Sequence, residues 1–153
     1  MAKCLRVEIL FNPNLYLTSI GTDLILESSR SHLGILNSAE LIKQNTSNQD
    51  TLKIGESFYI YFHSTRQYVY YSATRQKLCL TRSASDKTLF KILSDEFDWR
   101  SGGRFELNKQ FKYRIIMAEH NAKCLAQENS KIVIKDKQDE KSLISLQLSQ
   151  YSE

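Results

Sequence analysis

Positively charged and aromatic residues alternate in the middle of the chain. The set consists of Arg66, Tyr68, Tyr70, Arg75, Lys77 and Arg82. A guanidinium group donates paired hydrogen bonds to phosphate or sulfate, and an aromatic ring can stack on a flat ligand. We therefore expect these six residues to bind a ligand. The alternative is that the tyrosines belong to the core and the cations are spread around the surface.

The positive charge of the chain is concentrated in the same region. The whole chain has a net charge of +4. Residues 58–94 contain six basic residues and one acidic residue, a net charge of +5, whereas residues 95–153 contain ten of each. A local positive field favours an anionic partner. A merely solvated basic surface would show the same distribution.

No sequence motif indicates catalysis. The chain lacks the HExxH, GxSxG, CxxC and glycine-rich phosphate-loop patterns. The three histidines, His32, His63 and His120, are too far apart to form a motif, and the three cysteines show no metal-ligand spacing. Cys79 and Cys124 occupy apolar positions of predicted strands, so we expect both in the core. The sequence therefore predicts no enzymatic activity, no metal site and no cofactor.

The elements that must position these residues recur three times along the chain at a nearly constant spacing. The clearest copy reads FYIYFHS, QYVYYS, KLCLTRS and TLFKIL, and a later copy reads KYRIIMA, AKCLAQ, SKIVIKD and SLISLQL. A weaker first copy reads LRVEILF, NLYLTS, TDLILES and AELIKQ. Alternating apolar residues and a fixed period indicate short strands in repeats. Twelve strands in three groups of four predict an all-β protein with a β-trefoil fold.

The repeats define the predicted domain organisation. We expect a single domain over residues 1–153, with repeats at about 5–44, 57–94 and 111–150. The predicted core residues are Val7, Ile9, Leu17, Leu26, Ile60, Phe62, Val69, Leu80, Phe90, Ile92, Ile115, Leu125, Ile132, Ile134, Leu146 and Leu148. Nearly equal spacing aligns Tyr16, Val69 and Cys124 as the centres of the second strands.

Two regions interrupt the repeat pattern. Residues 29–44 contain the weak fourth segment of repeat one, and they also permit a helical turn with Ser38 as its cap. Residues 95–110 join repeats two and three and could form an extra hairpin. The polar segment 45–50 is predicted to be a loop.

The apolar segments are short. No stretch approaches the roughly 20 apolar residues that cross a bilayer, and the first residues do not resemble a signal peptide. We therefore expect a cytoplasmic monomer without a transmembrane segment.

Repeat two resembles the repeats of MIR-type β-trefoils and of the trefoil modules in the N-terminal region of inositol trisphosphate and ryanodine receptors. The matching residues are Gly55-Glu56, Phe58–Phe62, His63-Ser64-Thr65, Tyr68-Val69, Leu78–Leu80 and Leu89–Ile92. The resemblance implies a β-trefoil binding module. It also implies that Arg82 lies close to the position of the ligand-binding arginines in the inositol trisphosphate receptors.

These observations predict a non-catalytic binding module. The basic hairpins of repeat two would bind a protein, an anionic small molecule or an anionic polysaccharide. We do not expect a specific nucleic acid as the partner. One alternative is a signalling ligand similar to interleukin-1-type cytokines or to growth factors. A second alternative is a protease inhibitor that acts through residues 45–50, and a third is a fascin-like module. A sugar-binding lectin is a further alternative, although the Gln-x-Trp repeat of ricin-type lectins is absent from the sequence.

Overall fold

The computed structural model describes nine parts of the chain: residues 5–11, 15–27, 39–43, 57–63, 65–85, 88–93, 114–129, 131–136 and 144–148. Within these parts the chain forms strands and turns and no helix. The predicted all-β class is therefore confirmed. The same residues contain no helix with the length and apolar character needed to span a membrane.

Twelve strands occur in the described residues. They are β1 (Leu5–Phe11), β2 (Leu15–Ile20), β3 (Asp23–Glu27), β4 (Ala39–Lys43), β5 (Phe58–Phe62), β6 (Gln67–Ser72), β7 (Lys77–Thr81), β8 (Phe90–Leu93), β9 (Arg114–Met117), β10 (His120–Glu128), β11 (Lys131–Asp136) and β12 (Ile144–Leu148). In β5 the side chains of Phe58, Ile60 and Phe62 are buried, whereas those of Tyr59 and Tyr61 are half-buried. Successive residues on a strand face opposite sides of a sheet. The aromatic run therefore supplies the core with one face and leaves the other partly accessible.

Six of the strands form a nearly closed, barrel-like sheet. Antiparallel pairing joins them in the order β12, β1, β4, β5, β8 and β9. The core is a single cluster of buried apolar residues from these six strands and from the other strands described below. A sheet that curls toward closure leaves few exposed edges for association with other chains.

The same cross-strand pairing occurs at three places around this sheet. Ala39 pairs with Phe62, Phe90 with Met117 and Ile144 with Phe11, and two residues further along Leu41 pairs with Ile60, Ile92 with Ile115 and Leu146 with Ile9. All of these side chains whose burial is described are at most 2% exposed. The three junctions thus place apolar residues in matching register.

Three hairpins complete the sheet: β2 with β3, β6 with β7, and β10 with β11. Their matching pairs are Leu17 with Leu26, Val69 with Leu80 and Leu125 with Ile134. The strands β3, β7 and β11 contact one another, so the three hairpins meet. This meeting point positions the candidate site described below.

The hairpins correct the predicted alignment of the second strands. The sequence aligned Tyr16, Val69 and Cys124, but the structure aligns Leu17, Val69 and Leu125. The chain between Val69 and its partner Leu80 is longer than the chain between Leu17 and Leu26 or between Leu125 and Ile134. This difference in connection length displaces the alignment by one residue, which on a strand is a change of face.

The structure decides one open alternative and corrects one prediction about local structure. Ala39–Lys43 is a strand, as the fourth segment of repeat one predicted, and does not form the alternative helical turn, because β4 pairs with β1 on one side and with β5 on the other. Cys79 is half-buried and not part of the core, because the core-contacting residues Leu78 and Leu80 lie on the opposite face of β7. Cys124 is fully buried, as predicted.

Most of the predicted core residues that can be compared are confirmed. Ile9, Leu17, Leu26, Ile60, Phe62, Val69, Phe90, Ile92, Ile115 and Leu125 are buried, and Leu80, Ile132 and Ile134 pack against the core while partly exposed. The structure does not describe the side chains of Val7, Leu146 and Leu148. Outside the described residues lie Ser38, His32, the predicted loop at 45–50 and the predicted hairpin at 95–110.

Candidate functional site

A pocket opens where the three hairpins meet, and we call it the hairpin pocket. Its volume is about 500 Å³. It is lined by Thr22, Asp23, Leu24, Ile25, Tyr70, Arg75, Lys77, Leu78, Cys79, Leu80, Lys131 and Ile132. Sites for small molecules usually have volumes of about 300–1,000 Å³ and combine an apolar lining with a few polar groups. The hairpin pocket has both the size and this mixed character.

The charged residues of the pocket occupy related positions in the three hairpins. Asp23, Lys77 and Lys131 are the first residues of β3, β7 and β11, and they are equally spaced along the chain. Arg75, in the turn before β7, is the fourth charged residue. All four are exposed. Among the described residues that line the pocket, three are positively charged and one is negatively charged, a net charge of +2.

The apolar part of the lining also comes from all three hairpins. Leu24, Leu78 and Ile132 follow the three charged strand residues directly, and all three belong to the core cluster or pack against it. Tyr70 of β6 is half-buried and lines the pocket beside Cys79, its cross-strand partner. Leu24, Leu78 and Ile132, which we call the apolar base, can contact the carbon skeleton of a ligand while the charged residues bind its polar groups.

The turns that carry the charged residues each contain one residue with positive φ. These residues are Gly21 (φ 61°), Gln76 (φ 54°) and Asn129 (φ 58°). Glycine adopts this conformation without a steric cost, and asparagine tolerates it better than most residues. Nothing lies within 4 Å of the position that a Cβ atom of Gly21 would occupy, so the backbone conformation alone accounts for glycine there.

The six predicted ligand-binding residues fall into two groups. Tyr70, Arg75 and Lys77 line the hairpin pocket. The other three lie toward the opposite end of the hairpin β6–β7: Tyr68 pairs with Thr81, and Arg66 and Arg82 flank that pair in the chain. Strand residues advance by about 3.3 Å each, so the pair Ser72–Lys77 and the pair Tyr68–Thr81 are about 13 Å apart. The cations of the two groups therefore lie at opposite ends of the hairpin, and Tyr70 lies between these ends.

Tyr68 belongs to a packed cluster outside the barrel. The ring centroids of Tyr68 and Tyr61 are 4.8 Å apart, and those of Tyr61 and His63 are 5.2 Å apart in a T-shaped arrangement. His63 Nε2 is paired with Oε1 of Glu40, an acidic residue that is buried on β4. This contact gives the buried acidic group a hydrogen-bond partner. This Glu40 cluster fixes Tyr68 against the protein.

The same burial affects the titration of Tyr68. Desolvation raises the pKa of its hydroxyl above the ordinary value of 10.0, and the nearby Tyr61 and Glu40 raise the pKa further. Removing the proton would place a negative phenolate in a poorly hydrated site close to Tyr61 and Glu40. Tyr68 therefore stays neutral over the physiological pH range.

Sequence reasoning did not identify Asp23, Lys131 or the apolar base as parts of a site. Asp23 and Lys131 lie outside the basic middle region that drew attention. A signal was present, because both occupy the same repeat position as Lys77, one full repeat before it and one after it. Within the described residues, no group of three or more His, Cys, Asp or Glu side chains is arranged to hold a metal ion.

Comparison with known proteins gives information about the fold alone. No family model and no curated protein matches the chain. A solved structure that matches is described as "Structure and mode of action of a mosquitocidal holotoxin", with a TM-score of 0.63 and 12% sequence identity. The alignment covers 99% of this chain and 18% of that chain, so this chain spans less than a fifth of its length. The likeness supports the all-β, barrel-like architecture over nearly the whole sequence.

Proposed function

We propose that the chain is a β-trefoil of three four-stranded repeats and that it is a non-catalytic module which binds an anionic small molecule in the hairpin pocket. The trefoil part is supported by the three matching junctions of the barrel-like sheet and by the meeting of three hairpins. The resemblance of repeat two to MIR-type repeats agrees with it. Closed all-β folds of this kind present loops and turns at one end, where ligands can bind.

The observation that carries the binding proposal is the set of exposed cations around the pocket. Arg75, Lys77 and Lys131 approach one 500 Å³ space from two hairpins. Arginine suits phosphate, sulfate and carboxylate through its planar fork, and lysine contributes a compact charge. Cations around a concave site raise the local concentration of anions. The apolar base adds contact area to this electrostatic attraction.

The first test compares two double variants that each remove two positive charges. Lys77→Gln with Lys131→Gln changes the pocket, and Arg66→Gln with Arg82→Gln is the matched control at the far end of the same hairpin. Thermal shifts are measured with a sulfated monosaccharide and with an inositol phosphate, at about 50 and 200 mM salt. We expect the pocket variant to lose the anion-induced shift and the control to retain it. Loss in the control variant alone would place the anion site at Arg66 and Arg82 and refute the pocket.

Cys79 gives a second readout that requires no ligand. Its thiolate attacks a methanethiosulfonate reagent, forming a mixed disulfide and releasing methanesulfinate. In a Cys4→Ser background, with Cys124 buried, an anionic reagent should modify Cys79 faster than a cationic one relative to a free thiol. The Lys77→Gln, Lys131→Gln change should lower this preference by about fivefold or more, since each charge contributes on the order of 1 kcal/mol at short range in water. An unchanged preference would show that the pocket is not electropositive.

A further inference from the structure

Among the described residues that line the pocket, Asp23 carries the one negative charge, and it occupies a defined position. Asp23 has the same place at the start of β3 that Lys77 and Lys131 have at the starts of β7 and β11. No ion pair joins Asp23 to either lysine or to Arg75 in the described part of the chain. The carboxylate is exposed at the pocket and is available to a ligand.

We propose that Asp23 determines which anion the hairpin pocket accepts. The preferred ligand is a small ring with a single anionic group and several hydroxyl groups, such as a sugar acid, and not a polyanion. This inference rests on the proposed anion-binding function. It assigns a specificity role to a residue in the least basic of the three hairpins.

The first argument is charge complementarity. A ligand with one negative group places it near Arg75 and the two lysines and leaves its other side facing Asp23. An ionised carboxylate accepts hydrogen bonds and donates none, so Asp23 favours a hydroxyl group there. A polyanion would bring a second negative charge to the same carboxylate, and like charges repel at short range.

The second argument concerns the neutral part of the lining. Leu24, Leu78 and Ile132 form an apolar base, and the ring of Tyr70 lines the pocket as well. Such a surface contacts the C–H groups of a sugar ring while the charged residues bind its hydroxyl and anionic groups. A bare phosphate or sulfate ion would leave the base uncovered and gain nothing from it.

The test measures selectivity and not affinity alone. Dissociation constants for D-glucuronate and for inositol hexakisphosphate are determined by calorimetry for the wild-type protein, Asp23→Asn and Asp23→Lys. Asn keeps the size of the side chain and suits a turn, and Lys completes a ring of three lysines. D-Glucose serves as the neutral probe. Circular dichroism confirms that each variant is folded.

We expect Asp23→Asn to shift the ratio of the two dissociation constants by about tenfold toward the polyanion, the value of one lost charged hydrogen bond. Asp23→Lys should shift it further. An unchanged ratio in both variants would overturn the role of Asp23. If Lys77→Gln with Lys131→Gln still weakens both probes in that case, the proposed function survives. Binding of neither probe to the wild-type protein, or binding that ignores the lysines, would overturn both proposals.

Discussion

Truncation of Phe90 tests whether the three matching junctions of the barrel-like sheet hold the protein together. Phe90 is fully buried and is the residue at which β8 pairs with β5, through Phe58, and with β9, through Met117. Its ring centroid lies 6.5 Å from that of Phe58, with the two planes tilted by 36°. The Phe90→Ala change therefore removes a side chain shared by three strands.

The structure sets the expected loss of stability. Replacing a buried Phe by Ala costs about 3–5 kcal/mol, because apolar contacts are lost and a cavity remains. The tilted pairing with Phe58 adds about 0.5–1.5 kcal/mol. We expect a total near the upper end of the first range, about 4–5 kcal/mol. For a domain of this length, such a loss lowers the melting temperature by roughly 8–20 °C.

Urea unfolding followed by far-ultraviolet circular dichroism measures this loss. Phe90→Leu is the control, since it keeps most of the apolar volume and should cost less than about 1.5 kcal/mol. Equal m-values for the two variants would show that the difference lies in the folded state. The reasoning would be refuted if Phe90→Ala cost less than about 1 kcal/mol or no more than Phe90→Leu, because Phe90 would then lie outside the core.

Two further predictions concern titration and the turns. Because the pKa of Tyr68 is raised, the unfolded chain releases its proton first, so stability falls as pH rises above 10.0 toward the folded-state pKa. Tyr68→Phe should make this alkaline fall shallower in urea titrations at several pH values, and an identical slope would contradict the burial of Tyr68. Gln76 has a φ of 54°, and this conformation costs a residue with a side chain roughly 1–2 kcal/mol. Replacement by glycine removes this cost, but the greater backbone entropy of glycine in the unfolded chain offsets about 0.5–1 kcal/mol of the gain. Gln76→Gly should therefore raise the free energy of unfolding by about 0.5–1 kcal/mol, and Gly21→Ala, the reverse exchange at a matching turn, should lower it; the opposite signs would contradict the turn conformations.

Periodicity made most strands predictable, because alternation and equal spacing are local properties of the sequence. The third strands illustrate this: Leu26, Leu80 and Ile134 are equally spaced along the chain, and each pairs with the buried residue of a preceding strand. The predicted alignment of the second strands was wrong by one residue. Equal spacing fails there, because the connection between β6 and β7 is longer than the connections in the other two hairpins. The strand β4 was ambiguous, because its pairing with β1 and β5 decides its conformation and this pairing is not local.

The Glu40 cluster shows a different limit of sequence reasoning. Glu40 and His63 are far apart in the chain, and they meet because Glu40 lies opposite Tyr61, close to His63 at the end of β5. Nothing in the local sequence marks Glu40 as buried, since an acidic residue in a weak strand pattern suggests an exposed position. Tertiary pairing therefore buries an acidic side chain that the sequence suggests is exposed, next to Tyr61, which packs against the ring of Tyr68.

The hairpin pocket depends both on the repeat spacing and on non-local pairing. Its members were individually visible in the sequence, and the repeat spacing connects Asp23, Lys77 and Lys131. The separation of these residues from Arg66 and Arg82 was not visible, because it depends on the direction of the hairpin β6–β7. The fold therefore divides a run of positive charge in the sequence between two ends of the hairpin, and the end with Arg75 and Lys77 lines the pocket together with the other two hairpins. In the proposed function, the carboxylate of Asp23 on β3 contributes to the choice of ligand together with Arg75, Lys77 and Lys131.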